Sequence, residues 1–297
     1  MSTEMSPNPF TNLDPRSRRR RRWGRLMEGL ASLAALLAIA VLVILIASVA
    51  RRGAPALNVD LFTQVDAPFG QPGGGIENAI VGTVIMTAMA TAISVPLGVL
   101  IAIFDTEFAP ARLAFAIRMT LNVLSGVPTI VIGVFIFGLL VVGHGYSAFA
   151  ASVALSIIML PLIARSTEEV LLLVPGTLRE GGMALGATRA RTVVTVVLPT
   201  AFGGIITATI VAVARAAGET APLLFTTGIF ANAVVTDPSH SMASLPLTIF
   251  TKSELPDTHD QQVAWAAALV LLVVVLVGSI TGRALSLRTR RQIEQTR

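Results

Sequence analysis

The sequence predicts an all-α, polytopic membrane protein with six transmembrane helices. Three observations lead there. The chain is 54% hydrophobic and only 13% charged, with a mean hydropathy of +0.77, whereas a soluble domain carries about 25% charged residues. It contains six apolar runs, each long enough to cross roughly 30 Å of hydrocarbon. Its basic residues also fall unevenly between alternate connections, as they do in multi-spanning proteins.

Taken in order, residues 1–25 are polar, contain Pro7, Pro9 and Pro15, and run into "RSRRRRR". They predict a disordered tail that ends in a basic anchor. Residues 26–49 form the first span. "ASVA" at 47–50 resembles a leader-peptidase site, but the apolar run is far longer than the roughly 7–15 residues of a secretory leader's core, so a retained span is expected. The other spans are expected at 78–104, 115–142, 146–164, 200–217 and 263–285, which makes residues 26–285 one membrane domain. Pro96, Pro128 and Pro161 interrupt three of them, as membrane helices tolerate where neighbours satisfy the freed carbonyls. Residues 286–297 form a second basic tail.

Orientation follows from the positive charges. With the N-terminus inside, eighteen of the 22 basic residues lie on the inner side, while Arg51, Arg52 and Lys252 face out. Under the positive-inside rule this places both termini in the cytoplasm. The excess of arginine over lysine suits a GC-rich bacterial genome, and the location expected is the bacterial plasma (inner) membrane.

Composition also excludes classes. A net charge of +5 and a pI near 11.1 do not imply nucleic acid, because the arginines cluster beside apolar spans where anionic lipid accounts for them. With no cysteine, disulfides, thiolate metal sites and cysteine nucleophiles are out. The single lysine, Lys252, follows Thr251 rather than a glycine, so no phosphate-binding loop for ATP exists. His144, His240 and His259 share no metal-ligand spacing and are expected at the surface. Glu168 and Glu169 look like a dyad, but Arg165 beside them points to an ion-paired helix start. No metal or cofactor is expected.

One polar segment stands out amid the apolar sequence: "REGGMALGATRARTVVTVVLP", residues 179–199. It reads either as an amphipathic helix lying on the membrane or as a docking helix for another protein. Its spacing resembles the cytoplasmic motif of ATP-binding-cassette (ABC) permeases: Glu-Ala-Ala, three residues, Gly, nine residues, then Ile-x-Leu-Pro. Here Glu180, Gly186, Leu198 and Pro199 keep the register, with Gly181 and Gly182 in place of alanines and Val196 in place of isoleucine. The two glycines lower helix propensity by up to about 1 kcal/mol each, so a looser first turn is expected.

Further stretches resemble the phosphate-specific (PstA-type) branch of those permeases: "GGGIENAIVGT" at 73–83, "LSGVPTIVIGVF" at 124–135, "LPLIARSTEEVLLLVP" at 160–175, "ARAAGETAPLLFT" at 214–226 and "MASLPLTIF" at 242–250. The resemblance implies the architecture of a type I ABC importer (MetI-like) permease and a coupling region at 166–199. It implies a transport subunit with no ATPase site of its own. The implied partners are a homologous permease (PstC-type), an ATPase subunit dimer (PstB-type), an extracytoplasmic phosphate-binding protein (PstS-type), phosphate and the lipid bilayer. Glu180, Gly186, Leu198 and Pro199 would couple to the ATPase.

Arg215 and Glu219 form a charged pair in an apolar segment, four residues apart and so expected on one helical face. Such charges cost about 2.5–3.5 kcal/mol at the bilayer centre and usually face a partner or a cavity. Alone, the spacing allows a salt bridge that merely neutralises both, or a guanidinium that meets an anion in transit. The resemblance implies the second. Thr83 and Thr129, with Thr87 and Ser125, would line the route or serve as polar glue between helices. Two same-class or distant alternatives remain: a permease for another oxyanion, and a membrane-embedded enzyme. Against the enzyme, no span holds a Ser/His or paired-Asp arrangement, and there is no HExxH. A stand-alone secondary carrier would have no docking helix.

Overall fold

The computed structural model describes residues 15–67, 73–228 and 233–295. Two units result, dividing between Arg51 and Arg52.

The first unit is a single helix. α1 runs Pro15–Gly53, its last two residues belonging to the second unit. Pro15 opens it, where a missing N–H costs nothing, and no proline or glycine follows between Leu30 and Arg52. Residues 15–25, expected as part of a disordered tail, are therefore helical; residues 1–14 lie outside the described part.

The second unit is wholly helical among its described residues. Its elements are α2 (Val59–Thr63), α3 (Glu77–Ile103), α4 (Ala111–Gly126), α5 (Thr129–Ile136), α6 (Ala148–Leu172), α7 (Gly176–Ala184), α8 (Arg189–Thr192), α9 (Leu198–Ala216), α10 (Ala221–Thr226), α11 (Leu245–Ser253) and α12 (Thr258–Gln295). π-helical turns at Phe104–Phe108, Phe137–Val141 and Val193–Val197 extend α3 and α5 and lead into α9. Among the described residues, five helices are long and apolar enough to cross a membrane, or six if the α4–α5 pair is one span.

The expected third span, 115–142, is not straight. α4 and α5 meet at 94°. Pro128 pushes Val127 into extended backbone (φ −69°, ψ 128°) and cannot continue a helix itself. Pro96 and Pro161, by contrast, stay inside α3 and α6. α12 runs to Gln295, so the second tail expected from residue 286 is helical through that point. Likewise residues 166–172, assigned from sequence to the coupling region, are the last turns of α6.

α3 and α6 make the centre. Met86, Ala90, Leu155, Met159 and Ile163 pack with Ala212 and Ala216 of α9 and with Leu223, Met242 and Leu247. Small residues let the helices close, as lipid offers no hydrophobic drive for their association. α10 and α11 are short helices that sequence reading passed over; their apolar residues fill space between the spans instead of crossing. At the end of the bundle where α3 begins, Lys252 of α11 reaches Asp66 and Asp260, each at 2.7 Å, and is 5% exposed. It thereby ties α11 to the loop before α3 and to the start of α12. Burial pulls the ammonium pKa down, but hydrogen bonds to Asp260 and Asp66 reverse this and leave it above its ordinary 10.5.

Removing the Lys252 charge leaves two carboxylates without their counter-ion. Lys252→Met is expected to destabilise the fold by about 3–5 kcal/mol, read as a lowered melting temperature in detergent. Because the folded pKa is raised, this stabilisation is fully present below the ordinary lysine value of 10.5 and is lost as pH rises through the folded value. Melting temperature should therefore fall above that pH in the native chain more steeply than in Lys252→Met.

Candidate functional site

The segment singled out from the sequence folds into α7, a tight turn, α8 and the first turns of α9. α7 begins after Pro175, whose extended backbone (φ −58°, ψ 136°) separates it from α6. It ends in a glycine cap. Gly186 has φ +85°; its N–H donates to Met183 O at 2.9 Å, and the Ala187 N–H donates to Gly182 O at 3.3 Å. This pair of bonds closes a helix C-terminus on a left-handed residue, which is why glycine occupies that position of the motif. Thr188 then caps α8, its Oγ1 accepting from Arg191 N at 3.3 Å.

α7 presents Glu180 to the outside, together with Leu178, Met183 and Leu185, the last 91% exposed. Leu198 and Pro199 sit elsewhere. They open α9 and, with Val95, Pro96 and Val99 of α3, line an apolar cavity of about 630 Å³. The π turn before Pro199 shifts the local bonding pattern where a proline could not donate.

Gly181 and Gly182, expected to loosen a first turn, lie instead in the second half of α7, and they differ in surroundings. A Cβ on Gly182 would lie 2.7 Å from Thr192 Cγ2, whereas Gly181 faces open space. Gly182 is a contact residue that lets α7 close on α8.

α7 is also held from beneath. Arg179 Nε donates to Glu107 Oε1 at 2.9 Å, and the two terminal nitrogens donate to Val174 O and Leu171 O at 2.7 and 2.8 Å. One guanidinium thus satisfies the open carbonyl end of α6 and a buried carboxylate together. Nearby, Arg118 Nε lies 2.8 Å from Asp105 Oδ2 and 3.0 Å from Glu168 Oε1, and Arg165 binds the other oxygen of Glu168 at 3.0 Å. Sequence reading missed the Arg179–Glu107 and Arg118 contacts and anticipated only the pairing beside Arg165. The ion pairing expected beside Arg165 is present at Glu168, which is buried, while Glu169 is exposed; the expected helix start is corrected, since both lie in the last turns of α6.

The predicted pathway residues do not form one cluster of free polar groups. Arg215 Nε and Glu219 Oε1 are 4.0 Å apart, with the arginine side chain 66% exposed. They do not share a helical face, because α9 ends at Ala216 and Glu219 follows in a turn closed by its N–H on Ala216 O. The hydroxyl of Thr83 donates to Ala79 O at 2.7 Å and accepts from Leu245 N at 2.8 Å, so it anchors the start of α11. Thr129 is half-buried as the first residue of α5. Thr87 is buried, and exposed Ser125 donates to Asn122 O. His240 pairs with Asp237 at 3.2 Å on the surface. Backbone and side-chain hydrogen bonds from Ser239 hold the Asp237 pKa below the ordinary carboxylate range.

Residues 94–291, which include α7 and the Arg215 turn, match the family described as the inner membrane component of binding-protein-dependent transport systems. The chain belongs to that family. It is 40% identical over 232 residues to a probable phosphate transport system permease protein PstA of Methanocaldococcus jannaschii, covering 78% of this chain and 82% of the relative. It is 34% identical to the PstA permease of Haemophilus influenzae, over 92% and 97% of the two chains. Among solved structures, an inward-facing MetNI methionine ABC transporter chain superposes with a TM-score of 0.57 at 22% identity, covering 72% of this chain and 94% of that one. A chain of a bacterial alginate ABC transporter superposes at 0.55, with 15% identity and 90% and 99% coverage. The fold is therefore the MetI-like importer permease fold, in a multi-pass membrane protein.

The glycine pair provides an internal control. Gly181→Ala is expected to stabilise by up to about 1 kcal/mol through helix propensity. Gly182→Ala should destabilise by about 1–3 kcal/mol through overpacking against Thr192. Melting curves of the two variants, measured side by side, check the opposite signs.

Proposed function

We propose that this chain is the membrane-spanning permease subunit of an ATP-driven importer of inorganic phosphate. The observation that carries the proposal is α7. It is a short helix with an exposed acid and an almost wholly exposed Leu185, yet it is held to the bundle through Arg179. A helix lying on lipid needs no such fixing, whereas one that receives force from another protein does. The names of the relatives supply the substrate.

In this reading both termini and α7 lie in the cytoplasm. α7 seats in a cleft of a separate ATPase subunit, present as a dimer, and Glu180 and the Gly186 turn form the contact. Leu198 and Pro199 carry the movement into α9. A second, homologous permease completes the membrane part, and an external phosphate-binding protein delivers the anion. The chain alternates access between the two sides without hydrolysing ATP itself.

Arg215 is the group that meets phosphate. It is permanently charged, offers a planar fork of donors, and is bound only loosely by Glu219 at 4.0 Å. Glu219 limits how tightly the anion is held. Thr129 lies on the route; Thr83 shapes the route by fixing α11.

Phosphate uptake into vesicles holding the reconstituted complex tests the pathway. If Arg215 only neutralised Glu219, the Arg215→Ala/Glu219→Ala double variant would transport normally. The expected result is a loss of about a hundredfold, corresponding to the roughly 2.5–3.5 kcal/mol cost of an unpaired charge in hydrocarbon, with ATP binding unchanged. Arg215→Lys should be intermediate.

Orientation has its own test. The native chain has no cysteine, and Ser239 and Thr188 are both exposed. Ser239→Cys should react with an impermeant reagent from outside intact cells, and Thr188→Cys only after permeabilisation. Labelling of both from one side would overturn the topology.

A further inference from the structure

The π turn Phe104–Phe108, sequence FDTEF, carries two carboxylates two positions apart, and both are buried: Asp105 is 5% exposed and Glu107 3%. Each goes to a different helix. Glu107 accepts from Arg179 of α7 at 2.9 Å, and Asp105 accepts from Arg118 of α4 at 2.8 Å. A regular α-helical end would carry successive side chains about 100° apart around one axis; the wider π turn redirects them, and such turns recur at functional positions. Asp105 Oδ1 is buried without a hydrogen-bond partner, so the junction with α4 is not fully saturated, an exception that calls for a reason.

What lies beyond each contact makes a continuous route. α4 buries only Leu121, so its ion pair with Asp105 and Glu168 is a principal tie to the bundle. α4 bends 94° into α5, and α5 abuts α10, where a Cβ on Gly133 would lie 2.7 Å from Pro222 Cα. α10 begins two residues after Glu219. Packed side chains, ion pairs and rigid helices therefore connect α7 to the Arg215 turn without a gap.

The geometry points to the π turn as the junction that converts displacement of α7 into displacement of the α4–α5 pair, with Asp105, Glu107, Arg118 and Arg179 as its positioning residues. This rests on the proposed function. Neither carboxylate touches substrate. Each holds a helix so that force entering at α7 leaves at α4. The electrostatic links are short and each ends on a buried carboxylate, so the two helices move with the turn and not past it.

Glu107→Gln keeps the side-chain shape and removes the charge. In the reconstituted complex it should retain ATP hydrolysis while phosphate moved per ATP falls roughly fivefold or more, the usual scale of a lost coupling. Because the chain has no cysteine, spin labels can be placed at exposed Thr177 on α7 and Phe115 on α4, each paired with one at exposed Ile280 on α12. Trapping ATP should change both distances in the otherwise native chain, but only the Thr177 distance in Glu107→Gln. Asp105→Asn should give the same pattern. The proposal is overturned if both distances change in the variants as in the native chain. It is equally overturned if uptake and hydrolysis fall together in proportion to assembled complex, which is what a purely structural role predicts. A native complex that hydrolyses ATP without moving phosphate would instead overturn the functional reading, while the distances still judge the junction.

Discussion

A charge buried in a helical bundle within lipid must bring its partner with it, and the rest of this architecture depends on that constraint. Among the described residues the buried ionised side chains are Asp105, Glu107, Glu168 and Lys252. Each has an opposite charge within about 3.0 Å. Isolated burial of any of them would cost several kcal/mol, and their mutual attraction offsets this only where geometry and additional hydrogen bonds are good. Arg179 meets that condition most completely, since it binds a carboxylate and two helix-end carbonyls. Consequently the helix ends cannot be positioned independently. α3, α4, α6 and α7 are fixed to one another by three arginines and three acids at one end, and α11 and α12 by Lys252 at the other.

This constraint explains what could and could not be read from the sequence. Apolar runs report hydrocarbon length directly, so α1, α3, α6, α9 and α12 were visible, though α1, α6 and α12 proved longer than their apolar parts because helices continue past the hydrocarbon. The bend between α4 and α5 was harder. Pro128 was noticed, but Pro96 and Pro161 sit inside continuous helices, and local sequence does not say which proline will break. Glu107 and Arg179 lie 72 residues apart, and nothing in either neighbourhood announces the other. Pairs close in sequence, such as Arg215 with Glu219, draw attention for the opposite reason, even where the bond is poor.

The motif region shows the same division between what is local and what is not. Gly186 was legible only as a position of the motif; its reason, a left-handed cap with φ +85°, is local and comes from the structure. The reason for Gly182 is not local: it is Thr192, ten positions on and brought back by the turn between α7 and α8. A position that departs from its family's alanine reads as a weakness when only propensity is considered. It becomes a fit once the neighbour is known, and α7 sits against α8 more closely for it.

Contrast among the ion pairs then separates structure from chemistry. The pairs that fix helices are 2.7–3.0 Å long with at least one partner almost wholly buried. Arg215 differs on both counts: 4.0 Å from Glu219, with two-thirds of its side chain exposed. A guanidinium satisfied by several acceptors has little left to offer a ligand, as Arg179 illustrates. One held loosely at the end of a helix keeps donors available, although the helix's own C-terminal carbonyls favour the positive charge there. In the proposed function, phosphate needs donors that bind it and then release it, and Glu219 would supply the competing partner. The looseness of this pair, which would be a defect in a structural bridge, is the property that a transient anion contact requires.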